Sequence, residues 1–198
     1  MQTTGTDISL TDISGYILAG GKSRRMGSDK RTLLFRGMTL LERACLTMEA
    51  LLGKPPALVG DNLHDFRRLG LRIIPDAEPD CGPVGGIVSA LRDCGNGWAL
   101  FLPVDMPLMT TEVLLELLFS LKVDDHAAVF CDEERIHPLP LILSTDTLPI
   151  WKNSLQKKEL KLQNTFNEIP LSKKYISRNY LVFQNFNCPT DYGYYLNY

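Results

Sequence analysis

The tightest constraint on what this chain can become is a change of character within residues 16–30, Tyr-Ile-Leu-Ala-Gly-Gly-Lys-Ser-Arg-Arg-Met-Gly-Ser-Asp-Lys. The apolar run Tyr16 to Ala19 stops at the pair Gly20 and Gly21. It gives way to four cations, Lys22, Arg24, Arg25 and Lys30, with Gly27 and Asp29 among them. This is the pattern of a strand emptying into a basic, glycine-rich loop. Glycine lets a backbone come close to a ligand and take φ values that other residues avoid, and bared N–H groups beside cations suit polyphosphate. The local physics therefore points to phosphate binding.

The cations belong to that loop rather than to the chain as a whole. A net charge of -2 and a pI near 5.9 argue against a protein coated in positive charge for nucleic acid. With 198 residues, 44% of them hydrophobic, the chain can fill one sizeable core, and a single domain over 13–198 is expected. Residues 1–12 read as a polar leader with the composition of a disordered tail. The five cysteines, Cys45, Cys81, Cys94, Cys131 and Cys188, are widely spaced, with no Cys-x-x-Cys pair and no His at zinc-ligand spacing. Free thiols in a reducing cytosol fit them, with Cys45 and Cys131 in the core. The N-terminus lacks the basic and apolar regions of a secretion signal, and no uncharged apolar run approaches about 18 residues. The expectation is a cytoplasmic protein that binds neither nucleic acid nor membrane.

Downstream, strand and helix signals alternate. Thr39-x-x-Glu42 is a capping-box signature, and Leu40, Leu41, Ala44, Cys45, Met48, Leu51 and Leu52 then recur at helical spacing as far as Gly53. Short strands are expected at residues 57–59 and 71–74, the second breaking at Pro75-Asp76, with a short helix or turn between them. A second glycine-rich loop, residues 82–86, opens a helix. Residues 98–102 form the continuous apolar run of a buried parallel strand, ending at Pro103-Val104-Asp105-Met106-Pro107. A helix capped by Thr110 or Thr111, a strand over 126–131 and a solvated turn at Asp132-Glu133-Glu134 follow. Residues 136–143 are extended, but Pro138 and Pro140 argue for an edge or irregular segment. A Lys-rich helical segment around 148–162 and a strand at 180–183 complete the series. This order predicts an α/β fold, a Rossmann-like three-layer sandwich whose mostly parallel sheet carries helices on both faces. Ligands of such sheets bind beyond the C-terminal strand ends, where the basic loop, Asp76 and Asp105 all fall.

A basic glycine loop and a carboxylate across one sheet edge suit a nucleoside triphosphate with a divalent metal. Mg²⁺ needs only one or two carboxylates, because phosphates and water complete its shell, and Asp105 is the candidate ligand. The loop is not a Walker A: Gly21 and Gly27 have five residues between them, and Ser28 follows the second. No Gly-x-Gly-x-x-Gly fingerprint occurs either. His64, His126 and His137 are scattered, and structural roles are expected of them.

Residues 18–30 closely resemble the signature loop of the molybdenum cofactor guanylyltransferases, the MobA family, within the wider nucleotide-diphospho-sugar transferase-like group of nucleotidyltransferases. Four further segments agree in order: Asp76 ahead of Gly82-Pro83-Val84-Gly85-Gly86; Pro103-Val104-Asp105-Met106-Pro107; His137-Pro138-Leu139; and Asn185-Phe186-Asn187-Cys188-Pro189-Thr190-Asp191. The resemblance implies transfer of GMP from GTP to the terminal phosphate of molybdopterin, with or without bound metal, and release of pyrophosphate. It implies that Lys22, Arg25 and Lys30 hold the triphosphate and the departing pyrophosphate. Asp105 would hold Mg²⁺, and Asn187, with Asn185 beside it, would lie near the metal or the molybdopterin side. Leu18, Ala19, Gly20, Gly21, Asp76 and Gly82 match guanosine-binding positions. Further partners implied are molybdenum-insertion proteins and recipient molybdoenzymes. Val104, Thr39 and Cys188 depart from the residues common in the family, and none of these departures removes a charge from the expected site.

Two other readings stay open at this stage. Cytidylyltransferases acting on molybdopterin or on a small sugar or polyol phosphate usually carry Leu-Ala-Ala-Gly where this chain has Leu18-Ala19-Gly20-Gly21, which makes Gly20 the residue expected to admit a purine. A non-catalytic nucleotide- or molybdopterin-binding protein is the other, and the joint presence of Arg25, Lys30 and Asp105 argues against it.

Overall fold

The computed structural model describes residues 8–20, 29–61, 63–95, 97–176 and 181–186. The first strand, β1 (Ile13–Leu18), is preceded by a 3-10 turn, Leu10–Asp12, whose first amide groups are capped by the Ser9 hydroxyl. The expected leader therefore gives way to ordered structure by residue 9; its first seven residues lie outside the described ones. After the basic loop come a 3-10 turn (Lys30–Thr32) and a two-stranded hairpin, β2 (Leu34–Phe35) and β3 (Met38–Thr39). Helix α1 (Leu40–Leu52) begins at a complete capping box: Thr39 Oγ1 accepts from the Glu42 amide, and the Glu42 carboxylate accepts from the Thr39 amide. It ends at Gly53, whose left-handed φ of 66° is the usual helix stop.

Next follow β4 (Ala57–Val59), a 3-10 segment (His64–Leu69), β5 (Ile73–Ile74) and α2 (Gly82–Cys94). The second glycine-rich stretch is thus the first turn of a helix rather than a loop. Pro83 at its start costs no hydrogen bond, because the first helical amides have no partner inside the helix. The chain continues with β6 (Trp98–Pro103), α3 (Thr111–Leu118) capped by Thr110, β7 (Ala127–Cys131) and β8 (Ile136–Ser144). The Lys-rich segment is two helices, α4 (Leu148–Gln156) and α5 (Leu162–Phe166), separated where Lys158 takes a left-handed φ of 58°. Then comes β9 (Leu171–Tyr175). Residues 181–183 form a 3-10 turn instead of the expected strand; Tyr180 lies outside the described residues.

The main sheet has the order β5-β4-β1-β6-β8-β7-β9, and β8 alone runs antiparallel to its neighbours. Alternation along β1 sends Ile13 and Ile17 to one face, against α1 and α3, and Tyr16 and Leu18 to the other, against α2 and α4. The three-layer sandwich follows. Gly15 makes room on the α1 side, where a Cβ would come within 2.5 Å of Met48 Cγ and force the Met48 and Leu52 side chains to shift.

Of the two expectations for residues 136–143, the irregular segment holds and the edge does not. β8 is interior, with β6 on one side and β7 on the other. Its pairing with β6 covers only Leu141–Ser144, so Pro138 and Pro140 fall beyond the last β6 partner, where a missing N–H breaks no ladder bond on that side. On the other side the register with β7 shifts between Val129 and Phe130, so that His137 rather than Pro140 faces Phe130. The Leu139–Pro140 peptide is cis.

Candidate active site

Five strands end or begin at one edge of the sheet, and a trough of about 1080 Å³ runs across them. In sheet order its floor carries Asp76 after β5, Asp61 after β4, Gly20 after β1, Asp105 after β6 and His137 at the start of β8. The antiparallel direction of β8 is what brings its N-terminal residues to the same edge as the C-terminal ends of its neighbours.

The β4–β5 end of the trough is shaped by glycine. Gly60, at φ 139°, lies so close to the Ala19–Gly20 backbone that a Cβ there would sit 2.6 Å from the Gly20 nitrogen. Gly86, at the start of the second turn of α2, packs where a Cβ would meet Leu18 and Val59 at 3.2 Å and Asp76 Oδ1 at 3.3 Å. These close approaches seat the tips of β1 and β4 against α2, with Asp76 facing the gap. Burial, and then the charge of Asp61, push the Asp76 carboxyl up to about 6. A Cβ on Gly20 would touch Asp76 Oδ2 at 3.5 Å and Gly60 Cα at 3.6 Å, which is ordinary contact. Among the described residues nothing requires glycine at position 20.

At the centre, the 3-10 turn after the basic loop splays two cations apart. Lys30 Nζ donates to Asp105 Oδ2 at 3.0 Å, with the side chains 18% and 12% exposed, so both are enclosed yet still reach the trough. The Asp105 backbone is tied down too, its carbonyl accepting from the Phe186 amide at 2.8 Å. Arg31 points the other way. Its Nε is 2.8 Å from the Asp29 carboxylate, its Nη1 donates to the carbonyls of Ala19 at 3.5 Å and Asp61 at 3.4 Å, and its guanidinium lies over the Phe66 ring. Partial burial alone would raise the Asp29 carboxyl, but the hydrogen bonds from Arg31 hold it below the ordinary value.

Beyond Asp105 the lining changes to His137, Leu139, Gln163 and Phe183. Asp132, read from sequence as part of a solvated turn, is instead a fixed acceptor. Its Oδ1 takes the amides of Glu134 and Arg135 at 2.8 and 2.9 Å, and its Oδ2 is 2.8 Å from His137 Nε2. The His137 bond, followed by those two amides, holds the Asp132 carboxyl down to about 2.

Among the expected site residues, Leu18, Gly20, Lys30, Asp76, Gly82 and Asp105 line the one trough, as does Asn185, while Ala19 supports it from below, buried beside Gly60. Gly21, Lys22, Arg24, Arg25 and Asn187 lie outside the described residues. Sequence reasoning passed over Arg31, Gly60, Asp61 and the Asp132–His137 pair. Only His137 carried a signal, its place in His-Pro-Leu, whereas Gly60 and Asp61 reveal themselves once β4 is seen beside β1. Cys45 is buried, which pushes its thiol up to about 12, but Cys131 is only half-buried.

The model of the MobA-like NTP transferase domain matches residues 15–168. The chain belongs to that family. It is 33% identical over 158 residues to a probable molybdenum cofactor guanylyltransferase of Flavobacterium johnsoniae, covering 80% of this chain and 82% of the relative. It is 30% identical over 182 residues to the molybdenum cofactor guanylyltransferase of Serratia proteamaculans, covering 91% and 92%. Among solved structures, molybdopterin-guanine dinucleotide biosynthesis protein A from Archaeoglobus fulgidus superposes with a TM-score of 0.76 at 20% identity, over 91% of this chain and 95% of that one. At that identity the superposition speaks for the MobA-like fold. Among the described residues no helix is long and apolar enough to cross a membrane.

Proposed function

We propose that this chain is a cytoplasmic guanylyltransferase that moves GMP from GTP onto the terminal phosphate of molybdopterin. The observation that carries the reading is the Lys30–Asp105 pair standing midway along a trough, with Gly20 and Asp76 on one side and His137 on the other. A nucleoside fits the first half, a triphosphate the middle, and a second phosphate-bearing ligand the far half.

In the reaction one oxygen of the acceptor phosphate attacks the α-phosphorus of GTP. A P–O bond forms, the bond from the α-phosphorus to the bridging oxygen breaks, and its electron pair leaves with pyrophosphate. Positioning and charge neutralisation supply most of the catalysis in such transfers, so no protein nucleophile is required. Lys22, Arg25 and Lys30 hold the triphosphate in this reading, and Asp76 meets the nucleoside. Asp105, a hard oxygen donor enclosed beside the phosphate path, suits Mg²⁺, with Asn187 as a second ligand. When bound, Mg²⁺ supplies charge neutralisation at the phosphates. The product is then available to enzymes that use the guanine dinucleotide cofactor.

The test is a panel of GTP, CTP, ATP and UTP with Mg²⁺, with and without molybdopterin, scored for pyrophosphate. GTP alone should support release, and only with molybdopterin present. Asp105→Ala should abolish turnover, and Lys30→Ala should lower it by about 100-fold or more, the scale on which loss of one transition-state charge contact acts. Preference for CTP, or unchanged turnover in both variants, would overturn the reading.

A further inference from the structure

The half of the trough beyond Asp105 contains one arrangement that packing alone does not call for. A regular β7–β8 ladder, continued from the Ala128–Ile142 and Val129–Leu141 pairs, would set Pro140 opposite Phe130. Three extra residues of β8, Pro138, Leu139 and Pro140, bulge out there, and His137 takes the place instead. Bulges of this kind re-aim side chains, and they are common beside active sites.

The imidazole so delivered is held on two sides. Phe183 packs on its ring, centroids 4.9 Å apart, and is itself backed edge-on by Phe130 at 4.8 Å. Asp132 takes Nε2, and that carboxylate cannot swing away, because its other oxygen accepts two turn amides while the Asp132 amide donates to the Arg135 carbonyl at 3.0 Å. A histidine whose Nε2–H is bonded to a fixed carboxylate keeps Nδ1 as its acceptor nitrogen. Among the described residues nothing bonds Nδ1, and the His137 side chain, 11% exposed, reaches the trough.

We infer that His137, oriented by Asp132, receives the acceptor's terminal phosphate and takes its remaining proton at Nδ1. The inference rests on the function proposed above. A phosphate monoester loses its second proton near pH 6, so a fraction of the acceptor arrives as the monoanion. In the step, the O–H bond of the phosphate breaks and an N–H bond forms at Nδ1. The imidazolium is stabilised by the Asp132 carboxylate through Nε2 and holds the oxygen that gave up the proton. A different oxygen of the same phosphate attacks the α-phosphorus, and pyrophosphate leaves. The proton passes from Nδ1 to solvent when the product departs. Asp132 is thus a positioning residue and His137 the catalytic one.

The plainer alternative is that the pair only staples the β7–β8 turn, and His137→Gln separates the two. A glutamine amide can still donate to Asp132 from near the Nε2 position but presents no base where Nδ1 was. The expected result is a fall in kcat/KM for molybdopterin of about 100-fold or more, the range of lost general-base catalysis, with GTP affinity by calorimetry and the melting temperature unchanged. Asp132→Asn should lower kcat/KM as well, by a smaller factor. Turnover of His137→Gln within about threefold of wild type overturns the inference, as does an equal loss of GTP affinity. An independent readout is the ¹⁵N shift of His137 Nδ1 during titration of the GTP-loaded protein with inorganic phosphate. Movement is expected in the wild type, and a stationary Nδ1 signal also overturns the inference. Failure of the proposed function looks different: wild-type protein would release no pyrophosphate from GTP with molybdopterin.

Discussion

Gly20 and Asp76 lie together at the end of the trough proposed for the nucleoside, and each makes a prediction that the other controls. Because a Cβ at Gly20 meets only ordinary contacts, Gly20→Ala should melt within about 2 °C of wild type. Its effect should fall on the ligand, as a drop in GTP affinity with no matching drop for CTP; an equal drop for both nucleotides would remove Gly20 as the purine determinant. Asp76 predicts a pH dependence. Its carboxyl is pushed up to about 6, whereas an unfolded aspartate titrates near 3.9. Between those values the folded state binds more protons, so this site's stabilising contribution is full below about pH 4 and is lost as pH rises through about 6. Asp76→Asn should therefore raise the melting temperature more at pH 7.5 than at pH 4.5. The ionised carboxylate is the form that accepts from the N–H groups of a guanine edge, so wild-type GTP affinity should climb as pH rises through about 6. The variant should show a smaller climb by calorimetry, that of the nucleotide's own terminal phosphate alone. Parallel slopes in the two proteins would count against a base contact.

At the scale of elements, local chemistry was readable and partnership was not. The Thr39-x-x-Glu42 box, the Gly53 stop, the Thr110 cap and the apolar run of β6 each sit where their own residues dictate. β9 escaped notice because, in Leu-Ser-Lys-Lys-Tyr, Ser172 alone is buried, and an edge strand with one polar buried residue has no apolar alternation to detect. For β8 two prolines leave an edge or an irregular segment open; only tertiary pairing reveals that the strand is interior and irregular, its β6 partner having already ended. The candidate site divides the same way: Gly20, Lys30, Asp76, Gly82 and Asp105 carry a motif, whereas Gly60, Asp61 and Asp132 acquire their roles from neighbours far away in sequence. One element-level contact can be weighed directly. The Tyr16 hydroxyl on β1 donates to Asp93 Oδ2 at 2.9 Å near the end of α2, and Arg72, ahead of β5, clamps the same carboxylate at 2.6 and 2.9 Å. Burial, with Cys94 and Asp93 close by, raises the phenol well above its usual range, so it stays a donor at any working pH. Tyr16→Phe should destabilise the fold by about 1–2 kcal/mol, seen as a lower urea midpoint, while leaving GTP affinity unchanged. A loss of affinity would mean that the staple reaches the site.

At the scale of the whole molecule, two apolar layers share one sheet and the trough crosses five of its seven strands, so a ligand spanning the trough bridges much of the sheet. GTP with Mg²⁺ at 100 times its dissociation constant should stabilise the folded chain by about 2.7 kcal/mol, raising the melting temperature by about 5–10 °C at this size. CTP at the same concentration should do less, and no shift with GTP would deny the nucleotide half. The position of β8 also bears on how the chain is made. The strands that floor the proposed nucleotide half, β5, β4, β1 and β6, are contiguous in the sheet and complete once residue 103 has left the ribosome. β7 follows, yet both of its sheet neighbours, β8 and β9, are still to be synthesised. It has nothing to pair with until β8 emerges, and the two must then enter beside β6 as a hairpin. The proposed nucleotide grip is therefore expected to be the first part of the nascent protein to take shape, and the proposed acceptor half the last.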